Sequence, residues 1–131
     1  MNLKRNLRQS AVFHWVRATF GEPSTVASER VLRVLEEAIE LAQAEGIPQD
    51  RVLASVEYVY RKPVGDPAQE VGGLGVTLLA YCETKGISAD EEEAREFDRV
   101  VKIDADHFRA RHNKKADAGI AVRVKEGQGG S

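Results

Sequence analysis

The sequence contains a single cysteine, Cys82, so no disulfide can form within the chain. Chains without disulfides are typical of reducing compartments, and we expect a cytoplasmic protein in which Cys82 is a small buried residue. No apolar run approaches the roughly 20 residues that a membrane-spanning helix requires, and no apolar signal core follows residues 1–5. We therefore expect no membrane association.

The chain also lacks an excess of charge of either sign. It has 19 basic and 21 acidic residues, with a net charge of -2 at pH 7. Proteins that bind nucleic acids usually carry a basic excess, so stable nucleic-acid binding is not expected. A hydrophobic content of 42% and a charged content of 31% are typical of a soluble, helix-rich protein. A chain of 131 residues is long enough for one domain with a single core.

Hydrophobic residues recur at spacings of three and four, which predicts an all-α fold. Residues 55–60 alternate as in a strand, but an isolated strand would leave backbone groups unpaired, and we predict a helix there. The four- to five-helix domain is expected at residues 1–115, followed by a flexible C-terminal tail at residues 116–131. The predicted helices cover approximately residues 2–19, 49–61, 67–85 and 88–111, together with a second helix that begins between Ser24 and Ser28 and ends at residue 45.

Acidic residues on the second predicted helix are the first candidates for a functional site. Glu37 and Glu40 are three apart, so their carboxylates project from neighbouring points on one side of the helix, with Glu36 beside them. Like charges at this spacing cost a few tenths of a kcal/mol unless a cation lies between them. Glu70 lies one turn into the otherwise apolar fourth helix. A solvated acidic helix edge is the alternative interpretation.

The pattern E-x-x-E-L at residues 37–41, with a later helix that opens on Glu70, resembles the MazG-like superfamily of all-α nucleoside triphosphate pyrophosphohydrolases. The family pattern is E-x-x-E, a spacer, then E-x-x-D. Glu37 and Glu40 match the first half and Glu70 begins the second, but Gly73 replaces the family's aspartate. The resemblance covers about residues 12–109. It implies a four- to five-helix bundle of the MazG-like type, completed by assembly into a homodimer or homotetramer.

The resemblance implies metal-dependent hydrolysis of a nucleoside or deoxynucleoside triphosphate to the monophosphate and pyrophosphate, as part of nucleotide-pool housekeeping. The metal would be Mg²⁺, with Mn²⁺ as an alternative, held by Glu37, Glu40 and Glu70. Glu36 completes the catalytic set as the residue that would orient a water or act as a general base. Three further carboxylates are candidates for the missing fourth ligand: Asp66, Asp104 and Asp106.

Substrate contacts are predicted at Trp15, Lys102 and Arg109. The family often has a K-x-x-x-N-x-x-K series in its last helix, and residues 102–109 keep this spacing with Asp106 and Arg109 substituted. The alternative is a solvated basic helix face. Trp15 is either a stacking surface for the nucleobase or a core residue.

Three glycines within the fourth predicted helix, Gly72, Gly73 and Gly75, indicate close approach of another helix, a ligand or a metal. Two other functions stay open. One is a MazG-like relative without catalysis, and the other is a helical interaction module with acidic surfaces. Burial of Glu70 against Glu37 and Glu40 would favour a cation site, whereas an outward Glu70 would favour the interaction module.

Overall fold

The structure, a computed structural model, describes residues 3–124 and is all-helical over this range, with no strand. The all-α class is confirmed, and so is the helical conformation of residues 49–60. No helix in the described range combines the length and the apolar composition needed to cross a membrane. The elements in order are α1 (Leu3–Phe20), a 3-10 turn (Glu22–Thr25), α2 (Ala27–Ala44), α3 (Gln49–Tyr60), α4 (Pro67–Lys85), α5 (Ala89–Val101) and α6 (Ala105–Asp117).

The prediction of four to five helices was wrong in one place, because the last predicted helix is divided into α5 and α6. The break follows Val101, and α6 begins after Asp104. The Asp104 carboxylate accepts a hydrogen bond of 2.7 Å from the backbone N–H of Asp106. A capping carboxylate satisfies one of the free N–H groups at a helix start, which stabilises a new helix at this point. Asp104 therefore has a structural role.

Other helix boundaries follow the signals in the sequence. The Asp66 side chain accepts a hydrogen bond of 3.2 Å from the N–H of Gln69 at the start of α4. Ser88 Oγ accepts one of 3.2 Å from the N–H of Glu91 in α5. Gly46 lies in the turn after α2, and its φ of 80° allows the chain to reverse in the left-handed conformation that glycine adopts without strain.

The chain divides into two compact units. Unit 1 comprises residues 1–34 and 93–131, and unit 2 comprises residues 35–92, so the single domain expected at residues 1–115 spans both. In unit 1, α1 packs against the 3-10 turn and α6. Trp15 makes edge-to-face contacts with Phe20, Phe97 and Phe108 at centroid distances of 5.9, 6.5 and 5.4 Å. These rings form the apolar interior of unit 1.

Unit 2 leaves most of its apolar side chains uncovered. Of its hydrophobic residues only Cys82 is buried, as expected from the sequence. A groove of about 460 Å³ runs between α2 and α3, and the side chains that line it include Leu35, Ile39 and Val56. Helix α4 has an apolar middle, whereas Glu70, Thr77 and Thr84 recur every seven residues and lie on one polar side of the helix. Its exposed hydrophobic residues are Val71, Leu74, Val76, Leu78 and Leu79.

The segment predicted as a flexible tail begins within the folded part of the chain. Ala116 and Asp117 belong to α6, and Val124 is buried. Residues 120–124 are hydrogen-bonded to side chains of α2 and α6. Residues 125–131 of the predicted tail lie outside the described residues.

Candidate functional site

The acidic residues of α2 share one side of the helix. At 100° per residue, Glu36, Glu37 and Glu40 lie opposite the side that lines the groove with α3. Glu37 and Glu40 are exposed and Glu36 is half-buried. Glu36 and Glu37 each interact with another group in the chain, whereas Glu40 has no hydrogen bond or ion pair with the described residues. Two adjacent carboxylates of this kind offer the oxygen ligands that Mg²⁺ prefers.

Glu70 lies on the first turn of α4 and is exposed. Its carboxylate covers Gly65 in the preceding loop, where a Cβ would collide with Glu70 Oε1. The absence of a side chain at Gly65 therefore makes room for this conformation of Glu70.

Glu70 does not join the α2 carboxylates, because α4 contacts the turn after α2 through residues near the C-terminal end of α4. Glu45 Oε1 accepts hydrogen bonds from Tyr81 Oη at 3.1 Å and from Lys85 Nζ at 3.0 Å. Tyr81 follows Glu70 by eleven residues, or about 17 Å along the helix axis. Over residues 3–124, no group of three His, Cys, Asp or Glu side chains is arranged to hold a metal ion. The structure thus brings Glu37 and Glu40 together but leaves Glu70 apart from them.

The contact at Glu45 perturbs the ionisation of all three groups. Hydrogen bonds from Lys85 and then Tyr81 lower the pKa of Glu45. The same contact raises the pKa of Lys85, and desolvation together with Glu45 raises the pKa of Tyr81. The attraction between Glu45 and Lys85 stabilises the contact of α4 with Glu45. We therefore assign a structural role to this contact.

The three helical glycines have open space around them. A Cβ built at Gly72, Gly73 or Gly75 meets nothing within 4 Å. The close approach that these glycines suggested is therefore not made by the described part of the chain itself. An aspartate at position 73 would fit without a steric clash at its Cβ.

The predicted substrate contacts take part in the packing of unit 1 or lie in its turns. Trp15 is half-buried among phenylalanine rings. This placement corresponds to the alternative in which Trp15 is a core residue. Arg109 Nε donates to the Thr19 carbonyl at 2.7 Å, and Nη1 pairs with Asp106 at 2.9 Å. Lys102 is exposed in the turn between α5 and α6. Because the helix breaks there, Lys102 and Arg109 do not share a helix face.

A buried polar cluster in unit 1 was not predicted. Glu29 is 3% exposed, His112 3% and Asn113 2%. Glu29 Oε1 lies 3.6 Å from His112 Nε2, and this oxygen has no hydrogen-bond donor in the described part of the chain. Burial lowers the pKa of His112, so the ring is neutral at pH 7. Residues 29 and 112 are far apart in sequence, and no local spacing signals their contact.

A scan against protein-family models finds no match for the chain, and searches of curated proteins and of solved structures find no significant match. Function is therefore inferred from the residues, from their placement on the helices and from the resemblance of the sequence pattern.

Proposed function

We propose that the chain is a metal-dependent nucleoside triphosphate pyrophosphohydrolase. It converts a ribo- or deoxynucleoside triphosphate and water to the monophosphate and pyrophosphate, and serves the cytoplasmic nucleotide pool. The observation that carries the proposal is the exposed pair Glu37 and Glu40, one turn apart on α2, in the E-x-x-E-L pattern. Glu40 is engaged in no hydrogen bond or ion pair with residues 3–124, so its carboxylate is available to a cation.

Glu37 and Glu40 would hold Mg²⁺ or Mn²⁺, with Glu70 as a third ligand and Glu36 directed at the attacking water. The metal would shield the phosphate charges and supply a bound water. In one copy of the chain, only the α2 carboxylates are neighbours, and Glu70 lies near Gly65. We propose that assembly of copies completes the site.

The proposed assembly is a homodimer or homotetramer in which unit 2 supplies the interface. Its support is the uncovered apolar surface of α2, α3 and α4, where side chains such as Val76 and Leu79 are 68% and 55% exposed. Patches of this kind on soluble proteins mark interaction sites, because covering them removes apolar area from water.

A non-catalytic helical binding module is the second candidate. Two observations favour it: Glu70 is exposed rather than buried against Glu37 and Glu40, and Gly73 stands where the family has an aspartate. In this function the apolar surface of unit 2 would bind a protein partner, and the α2 carboxylates would be a solvated helix edge.

Placing an aspartate at position 73 distinguishes the hydrolase from the non-catalytic binding module. Mn²⁺ binding and pyrophosphate release from a panel of nucleoside triphosphates would be measured for the wild type, Gly73→Asp and Gly73→Asn. We expect Gly73→Asp to bind Mn²⁺ about tenfold more tightly or more, and to release pyrophosphate faster, because carboxylate oxygens are preferred metal ligands. Gly73→Asn has the same shape without the charge and should not show the gain. If neither the wild type nor folded Gly73→Asp releases pyrophosphate, the binding module is the better assignment.

A further inference from the structure

Side chains of unit 1 bind the backbone of residues 120–124, a segment we call the strap. The Asn113 amide forms two hydrogen bonds of 2.8 Å with Val124, donating to its carbonyl and accepting from its N–H. Glu29 Oε2 accepts from the N–H of Val122 at 3.1 Å. His112 Nε2 donates to the carbonyl of Val122 at 2.6 Å. These side chains therefore bind both the N–H and the C=O of Val122 and of Val124.

The bound backbone groups lie on alternate residues of the strap. Arg33 adds a hydrogen bond to the carbonyl of Ile120, so residues 120, 122 and 124 are all engaged. In an extended chain, alternate residues present their N–H and C=O groups on the same edge. Residues 120 and 121 form a bend, and residues 122–124 follow it. The backbone of residues 122–124 is thus bound as it would be by a neighbouring strand, with side chains in place of a strand backbone.

Val124 is the one buried side chain of the strap, whereas Arg123 pairs with Asp117 of α6 at 2.5 Å on the exposed surface. Ile120 and Val122 are 45% and 43% exposed, whereas Val124 is 8% exposed. Hydrogen bonds to the backbone do not depend on residue type. The site therefore binds the backbone of the strap and buries one apolar side chain, that of Val124.

The strap joins α6 through a short reversal. Gly119 has a φ of 79°, and the N–H of Ile120 bonds to the carbonyl of Lys115 at 3.0 Å, which closes the helix with a Schellman motif. Only Ala118 and Gly119 separate the end of α6 from the strap. Segments with few buried apolar contacts are the ones that open locally while the rest of a fold persists.

Opening of the strap would remove the hydrogen bonds that Val122 and Val124 make with Glu29, His112 and Asn113. Glu29, His112 and Asn113 are buried, and Glu29 Oε1 already has no donor among residues 3–124. Buried polar groups that lose their hydrogen bonds are costly, so these groups favour a replacement ligand of the same chemistry.

We propose that Glu29, Arg33, His112 and Asn113 form a binding site for an extended peptide, and that the strap is its resident, detachable occupant. The ligand class is an extended segment with free backbone N–H groups at two positions two residues apart and a branched apolar side chain at the second. This site is independent of the proposed hydrolase function.

The test uses the full chain with a strap that cannot dock. Val122→Pro combined with Val124→Pro removes the two N–H groups that Glu29 and Asn113 accept. A fluorescent peptide of residues 118–124 should bind this variant about tenfold more tightly than the wild type, or more, because the wild-type site is occupied. Adding Asn113→Ala should abolish that binding. A peptide with Ile120→Ala should bind like the parent, and a peptide with both prolines should not bind.

Two results would overturn the proposal. One is a double-proline variant with wild-type helical circular dichroism that does not bind the parent peptide, or binds the proline peptide equally well. The other comes from hydrogen exchange of the wild-type chain, which does not depend on folding of the variant. We expect the amides of Val122 and Val124 to exchange faster than those in the middle of α6, and equal rates would show that the strap does not detach.

Discussion

Buried polar side chains link α2 to α6 in unit 1. Glu29 on α2 and His112 on α6 lie within 3.6 Å of each other, and both are almost fully buried. The largest effect on the ring is desolvation, which lowers the pKa of His112, and the nearby charges of Arg33 and Lys115 act in the same direction. The Val122 carbonyl and Glu29 act in the opposite direction without reversing the shift. Protonation of His112 is therefore disfavoured in the folded chain.

This arrangement predicts acid sensitivity of unit 1. The folded chain binds a proton at His112 less readily than the unfolded chain, in which the pKa is the usual 6.5. The contribution of His112 to the free energy of unfolding is therefore complete above pH 6.5 and declines as the pH falls below that value. Urea unfolding at several pH values should show a smaller decline for His112→Gln than for the wild type. His107→Gln, at an exposed position, is the control and should keep the wild-type decline; equal declines in all three proteins would contradict this explanation.

Residue spacing predicted which carboxylates share one side of a helix. It did not predict how side chains from different helices are placed relative to one another. The position of Glu37 and Glu40 on one side of α2 follows from helical period alone. The separation of Glu70 from these carboxylates depends on the contact between Tyr81 of α4 and Glu45 in the turn after α2, which joins residues far apart in sequence. The contacts of Arg109 with Thr19 and of Glu29 with His112 join residues far apart in sequence, so no motif could reveal them.

At the scale of elements, helix starts and ends were predictable wherever a cap or glycine had no competing pattern. Asp66 caps the helix predicted to begin at residue 67, Ser88 caps the one predicted to begin at residue 88, and Gly46 follows the one predicted to end at residue 45. The break before α6 was missed because apolar residues continue at helical spacing across it, from Val101 to Phe108. Capping by Asp104 outweighs that periodicity.

Removal of this cap should therefore destabilise α6. We expect Asp104→Ala to lower the free energy of unfolding by about 1 kcal/mol, because the N–H of Asp106 loses its acceptor. Asp104→Asn retains a capping oxygen and should cost only a fraction of that amount. Urea titration followed by circular dichroism measures both. A value for Asp104→Ala equal to that of the wild type would show that the break is set by something other than the cap.

At the scale of the whole molecule, composition predicted an all-α protein but did not reveal its two units. The boundaries of the units fall within α2 and α5, where helical periodicity continues without a break. The resemblance implied that copies assemble, and the uncovered apolar surface of unit 2 is the support for proposing such an assembly. Covering exposed apolar residues of α4, such as Val76, would remove apolar area from water.

The proposed assembly predicts a defined response to one charge on α4. Light scattering should give a mass at least twice that of the 14.4 kDa chain. Val76→Glu should shift the protein towards the monomer, because covering an unpaired charge at an apolar interface is costly. Val64→Glu is the matched control in a loop position that is 99% exposed, and it should leave the mass unchanged. A wild-type monomer, or equal effects of the two variants, would contradict assembly through α4.

The most direct test of the proposed function is pyrophosphate release from ribo- and deoxynucleoside triphosphates, with and without Mg²⁺ or Mn²⁺. The proteins compared would be the wild type, Glu40→Gln and Glu57→Gln. Glu57 is an exposed carboxylate on α3 that pairs with Arg61 at 3.7 Å, so it controls for the loss of one charge. We predict metal-dependent release by the wild type and Glu57→Gln, and loss of release in Glu40→Gln. Folded wild-type protein that releases no pyrophosphate from any nucleotide would contradict the hydrolase and leave the binding module.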